Sequence, residues 1–309
     1  MKICHIINMP DMSEMGEISR IIFNETEGEH IFCKLHDEKI PDADIYLLEC
    51  FKNQKHFPKQ ILFHPPSGKK LISLIHSSEP CLPSKYSNIV VTITNAWQKR
   101  LKRLYNINSK MIYGGIDLDK YKNVKINYKN KVFGKITRPE AGKYHKDWNF
   151  IAKQLLDDNN FFSCRIISNN YKKINWIDHE RTIYIEGVRI NDYERKIKEL
   201  SKLSVYTECH SDSGNAFIDT FCISVLEAMA CGLPILALRG LQEPLVEVIG
   251  NAGIICNDID EYRIKLNNLL LDDDLKEELG NKARERAKFF SKEKLINKWN
   301  KLFKEVLHE

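Results

Sequence analysis

Two carboxylates and one turn of helix hold the densest chemistry in this chain. Within Ile218–Leu236, Asp219 stands eight residues before Glu227. Ser224 suits a helix N-cap and Gly232 the left-handed position beyond a helix end, while Pro234 stops the helix from running into the next strand. The order predicted is loop, short helix, strand, with Asp219 on the loop and Glu227 in the first turn. The start of such a helix offers free N–H groups, here around Phe221, Cys222, Ile223, Ser224 and Val225, together with the positive end of the helix dipole. An anion such as a diphosphate fits there. The same dipole favours a carboxylate at Glu227, which can also accept hydrogen bonds from two hydroxyls. As isolated acids, Glu227 would only help cap its helix and Asp219 would be solvated, so their setting decides between the readings.

That setting is an alternation of short β-branched or aromatic runs with helical patterns along most of the chain, as in stacked βα units around parallel sheets. Strands are predicted near Ile3–Asn8, Ile31–Leu35, Ile45–Cys50, Leu71–His76, Ile89–Thr94 and Met111–Tyr113, then at Lys131–Thr137, Cys164–Ser168, Thr182–Glu186, Ser204–Thr207 and Pro234–Leu238. A helix capped by Asn95 places Trp97, Leu101, Leu104 and Tyr105 on one stripe and Lys99, Arg100, Lys102 and Arg103 on the other faces. A second helix spans about Asp147 to Leu156. A third covers Phe290–Glu309, with Ser291 as cap and Leu295, Trp299, Leu302, Phe303, Val306 and Leu307 at helical spacing. The lysine-rich stretch Asp117–Lys131 reads as a linker. At 309 residues the chain exceeds one ordinary domain. The expected division is 1–125, 126–290 and a terminal helix at 291–309.

The segment Leu226–Pro234, LEAMACGLP, read with the acid eight positions before Glu227, resembles the retaining glycosyltransferases of family four. PLVEVIGNAG at Pro244–Gly253, with Glu247 at the place of a recurrent glutamate, and MIYGGIDLDKY at Met111–Tyr121 resemble further segments of that family in the order it requires. The resemblance implies the GT-B fold, two doubly wound Rossmann-like α/β domains facing a cleft, with the terminal helix 291–309 packing back on the first domain. It also implies a nucleoside-diphosphate sugar as donor, UDP- or GDP-linked, and neither metal nor resident cofactor. By the same match Glu227 holds the donor ribose, Asp219 replaces the glutamate that contacts the transferred sugar, and His76 faces that sugar from a strand end. In Phe133–His145, Lys135 takes the place of a phosphate-binding arginine and Lys143 that of a lysine, with Arg138 a rival for the first role. Gly16 remains of a glycine pair whose backbone contacts phosphate, and Cys222 stands where glycine is usual. Departure of the diphosphate while the acceptor hydroxyl arrives on the same face is the implied reaction, with no enzymic nucleophile and with domain closure excluding water.

The composition narrows the rest. Hydrophobic residues at 43% and charged residues at 29% fit a folded globular chain rather than a disordered one. No apolar run approaches the ~18–20 residues that span a bilayer. Nine cysteines without a Cys-x-x-Cys pair argue against a disulfide framework or zinc knuckle and for reduced, buried thiols, hence a cytoplasmic setting. Residues 96–135 carry eleven Lys/Arg against Asp117 and Asp119, a local +9 within a chain of net +5. That patch favours an anionic partner. The acceptor is expected to be a glycan or lipid-linked, with Lys99, Arg100, Lys102 and Arg103 able to dock on the cytoplasmic face of a membrane. A nucleic-acid acceptor and a nucleotide-sugar-binding subunit without turnover are the weaker alternatives. Asp117-Leu118-Asp119 has the form of a metal-binding Asp-x-Asp but falls in the domain-closing segment, and no histidine pair has ligand spacing.

Overall fold

The computed structural model describes residues 1–7, 16–34, 37, 39–50, 63–75, 86–137, 143–168, 177–189, 191–210, 221–240 and 243–308. Runs such as Ile89–Thr92 and Ile235–Leu238 are buried at every position. A strand covered on both faces is the mark of a parallel sheet flanked by helices. The chain divides into two compact units: Met1–Ile116 with Asp219–Phe221 and Phe290–Glu309, and Asp117–Ile218 with Cys222–Phe289.

The first unit contains β1 (Lys2–Ile7), α1 (Glu17–Glu25), β2 (Glu29–Lys34), β3 (Ile45–Cys50), β4 (Lys70–Ile75), β5 (Ile89–Thr92), α2 (Asn95–Tyr105) and β6 (Lys110–Met111). Its sheet has the order β2-β1-β3-β4-β5-β6, with every pair parallel. A buried polar network ties α1 to this sheet. Ser19 donates to Glu49, His5 Nε2 lies 2.8 Å from His30 Nδ1, and Thr26 Oγ1 lies 3.1 Å from His30 Nε2. Burial and the neighbouring His5 lower His30 to about 4, so its ring is neutral at physiological pH. The last helix of the chain belongs to this unit and packs on α1, burying Leu295, Trp299, Leu302, Phe303 and Val306.

The second unit runs through β7 (Val132–Ile136), α3 (Trp148–Asp158), β8 (Ser163–Ile167), β9 (Thr182–Ile185), α4 (Tyr193–Leu200), β10 (Val205–Glu208) and α5 (Ile223–Cys231). It continues with β11 (Ile235–Leu238), α6 (Glu243–Ile249), β12 (Gly253–Cys256), α7 (Ile259–Leu271) and α8 (Asp273–Ala287), leaving α9 (Lys292–His308) as the terminal helix of the first unit. The sheet order is β12-β11-β10-β7-β8-β9, again all parallel. Counted within the unit this is 6-5-4-1-2-3, the Rossmann order. Two expected doubly wound sheets are therefore present.

Local details differ from the sequence reading. Thr94, not Asn95, caps α2, its side chain accepting from the Trp97 amide at 3.4 Å, while Asn95 donates to the Tyr113 hydroxyl at 2.7 Å. Trp97 and Leu101 are buried as expected, but Leu104 and Tyr105 are 50% and 40% exposed. The reason is length: β6 has two residues, and the last turn of α2 has little sheet to cover. Among the described residues, no helix is long and apolar enough to cross a membrane.

Gly134 sits mid-β7 opposite Arg165, where an added Cβ would collide with the Arg165 carbonyl and come 3.1 Å from Leu203. Gly16, at the start of α1, has φ −63°, and no atom of the described residues comes within 4 Å of an added Cβ there. Gly134→Ala should therefore cost about 2 kcal/mol or more in urea unfolding, and Gly16→Ala should leave the midpoint within error.

Candidate active site

Ligands of open α/β sheets bind beyond the carboxyl ends of the strands, where the strand order reverses. In the second sheet that point lies between β7 and β10. Lys135, near the end of β7, and Glu208, the last residue of β10, meet there as a buried ion pair, 1% and 4% exposed. The Lys135 ammonium also donates to the Lys143 carbonyl at 2.9 Å and stands 4.8 Å from the centroid of the Tyr144 ring. His210 Nε2 is 2.9 Å from the same Glu208 oxygen. Burial alone would raise the Glu208 carboxyl, but the Lys135 charge and the His210 ring outweigh it and bring the group down to about 2. On the far side of the loop, the His145 amide donates to the Cys209 carbonyl at 2.8 Å. Lys143 itself is buried.

The helix α5 begins at Ile223, with Cys222 at the N-cap and no side chain capping it. Ser224, expected as the cap, instead lies inside the first turn. Its hydroxyl bonds to Tyr206, whose own hydroxyl donates to the Ile136 carbonyl at 3.1 Å, so β7, β10 and α5 are joined through one phenol. Complete burial pushes that phenol well above its ordinary range. Cys222 has φ −54°, a conformation open to any residue, so the backbone does not demand glycine there. At the other end Gly232 adopts the left-handed conformation, φ 85°, as its position in the sequence requires.

Glu227 is 3% exposed. Its Oε1 accepts from the Tyr121 hydroxyl at 3.1 Å and pairs with Lys196, which extends from the first turn of α4. The Tyr193 ring, also on α4, lies beneath two ammonium groups, Lys120 at 3.6 Å and Lys196 at 4.8 Å. The second unit thus places a helix N-terminus, a carboxylate held by a cation and a phenol, and a loop lysine among its strand ends. Donors of this kind suit an anion, and the carboxylate suits hydroxyls.

Of the residues expected from sequence, Glu227, Lys135, Lys143, Cys222, Ile223, Ser224 and Val225 all belong to the second unit. Gly16 and Phe221 belong to the first, where the Phe221 ring packs on Phe290 with centroids 5.7 Å apart. Asp219, His76 and Arg138 lie outside the described residues. Glu208, Lys196 and Tyr121 were not singled out from sequence. A charged residue closing the otherwise uncharged run Val205–Glu208 was the available signal for the first. Asp117 accepts from the Asp119 amide at 3.2 Å and Asp119 pairs with Lys122, so both serve their own turn. Among the described residues, no group of three His, Cys, Asp or Glu could hold a metal ion.

Residues 186–286, which include Lys196, Glu208 and Glu227, match the family described as Glycosyl transferases group 1. No curated protein sequence matches the chain significantly. Among solved structures, Anabaena HepE in complex with UDP and glucose is similar over 99% of this chain and 100% of its own, with TM-score 0.70 and 13% identity. A glycosyltransferase from Rickettsia africae is similar over 99% and 98%, with TM-score 0.70 and 15% identity. TarM is similar over 84% of this chain, with TM-score 0.64 and 17% identity, and the chain spans only 54% of TarM's length. At these identities the likeness establishes the shared two-domain Rossmann-like fold.

The depressed Glu208 gives an acid signature. A carboxyl held at about 2 against an ordinary 4.5 contributes stability that is complete above about pH 4.5 and lost as the pH falls toward 2. Urea unfolding of the parent chain should show that loss. Glu208→Gln should be less stable at pH 7, because Lys135 loses its counter-ion, yet flatter across the acid window.

Proposed function

We propose that the chain is a retaining glycosyltransferase that moves a hexose-type sugar from a nucleoside-diphosphate sugar to a glycan or lipid-linked acceptor without a metal ion. The observation that carries this reading is the coincidence of two things. The segment matching the glycosyltransferase family is the segment that gathers Glu227, Lys196 and the α5 N-terminus at the carboxyl side of the second sheet. The UDP and glucose named with HepE, whose fold this chain shares, make a UDP-sugar the first donor to try.

In the proposed reaction the bond between the sugar C1 and the diphosphate oxygen breaks, and a bond from C1 to the acceptor oxygen forms on the same face. The acceptor proton passes to the departing diphosphate. Glu227 holds the ribose hydroxyls, while Lys143 and the amides at the start of α5 face the charge that develops on the diphosphate. Stabilisation of that growing charge raises turnover, whereas ribose contacts act on binding.

A thermal-shift panel of nucleotide sugars tests the donor, since a ligand that binds only the folded chain raises its melting temperature. No shift with any of them would sink the reading, and a shift without transfer would favour a binding subunit. EDTA should leave transfer intact. Hydrogen bonds to a charged group contribute about 1.5–3 kcal/mol each, so Glu227→Gln should weaken UDP binding about tenfold or more in calorimetry. Lys143→Ala should lower kcat more than it raises the donor KM.

The exposed Leu104 and Tyr105 beside Lys99, Lys102 and Arg103 favour a second element of the reading, docking of α2 on an anionic lipid surface where a lipid-linked acceptor resides. Changing Lys99, Arg100, Lys102 and Arg103 to Gln together should abolish binding to phosphatidylserine vesicles at low salt and leave UDP affinity unaltered. Unchanged vesicle binding would remove α2 from that role.

A further inference from the structure

We infer that Lys135 acts on the donor diphosphate only through Lys143, as a positioning residue whose own charge is cancelled inside the fold. This rests on the reading of Lys143 as a phosphate ligand.

An ammonium has three donors. Here Glu208 takes one, the Lys143 carbonyl takes a second at 2.9 Å, and the Tyr144 ring lies 4.8 Å away on another side. Its ammonium is thus engaged by the protein itself. Its field is cancelled as well. Glu208, brought down to about 2, is ionised throughout the physiological range, so the pair as a whole is close to neutral toward a phosphate several ångströms away. What the ammonium does reach is the backbone of Lys143. Together with the His145 amide on the Cys209 carbonyl at 2.8 Å, that bond clamps Lys143–His145 to β7 and to the residue that follows β10. A phosphate-binding arginine would suit this place poorly. Its five donors in a planar fork could not all be satisfied by one carboxylate and one carbonyl, whereas a compact ammonium is met.

The test is calorimetry with UDP and, as a phosphate-free control, uridine. The variants are Lys143→Ala, the paired Lys135→Met/Glu208→Gln, and the triple combination, each at a temperature where circular dichroism shows it folded. The paired change removes both buried charges, so neither is left without a counter-ion. Lys143→Ala should weaken UDP about tenfold or more. The paired change should also weaken UDP, and the triple variant should bind no more weakly than Lys143→Ala alone, because the clamp has nothing left to position. Uridine affinity should stay the same throughout. A further tenfold loss in the triple variant would show that Lys135 touches the phosphate and overturn the inference. If Lys143→Ala binds UDP like the parent chain, the reading of Lys143 fails first, and this inference with it.

Glu208→Gln alone gives an arm that keeps Lys135. Positioning predicts weaker UDP binding, since the clamp is loosened. Direct contact predicts tighter binding, since an unneutralised ammonium would then be turned toward the diphosphate.

Discussion

The ion pair between Lys135 and Glu208 is the constraint on which the second unit's strand ends depend. Taking an ammonium and a carboxylate out of water costs several kcal/mol per ion, and only good geometry with further hydrogen bonds offsets it. Those bonds are present: the Lys143 carbonyl on the lysine, and the His210 ring on the carboxylate. To keep them, the end of β7, the end of β10 and the loop from Lys143 to Trp148 must hold one arrangement. Tyr206 carries the same constraint onward, from Ile136 to Ser224 in the first turn of α5. The strand ends of the second unit are therefore set by interior electrostatics as much as by apolar packing.

The second unit uses interior lysines repeatedly. Lys196 is buried against Glu227, and Lys276, at 0% exposure, donates to the Leu270 and Asn130 carbonyls at 3.0 Å each while pairing with Asp273. A lysine count read from sequence thus overstates the surface charge. The window 96–135 includes Lys135, whose charge is neutralised by a partner 73 residues away. On α2 itself the exposed cations are Lys99, Lys102 and Arg103.

The same lysines explain which parts were legible in the sequence. Most of the strands were, because runs such as Ile3–Ile7 and Ile89–Thr92 are apolar apart from His5 and Thr92, whereas β12 (Gly253–Cys256) was not expected. The end of α5 was legible too, because Gly232 is needed for its left-handed turn. Helices α4 and α8 were not. The buried side of α4 includes Lys196 and Glu199, and that of α8 includes Lys276, Gly280 and Ala283, so neither shows the apolar stripe on which helical reading rests. Glu208 escaped for a related reason. Its partner is distant in sequence, and only the pairing of β10 with β7 brings the two together. Ser224 was misplaced because capping propensity says which residues can cap, while Tyr206 decides what this hydroxyl bonds to.

These pairings also bear on the catalysis proposed. Lys135 with Glu208 and Lys196 with Glu227 form two buried pairs of no net charge. Their dipoles need not reorganise when a diphosphate arrives, and reorganisation is what water would require. In the proposed reading the diphosphate meets Lys143 and the N-terminus of α5, the latter equivalent to roughly half an elementary charge. In that reading the site holds a diphosphate without gripping it through every nearby cation. For a transferase this matters at the end of the cycle, since the nucleoside diphosphate must leave before the next donor can enter, and interactions that strengthen only as the glycosidic bond breaks serve turnover better than uniform attraction.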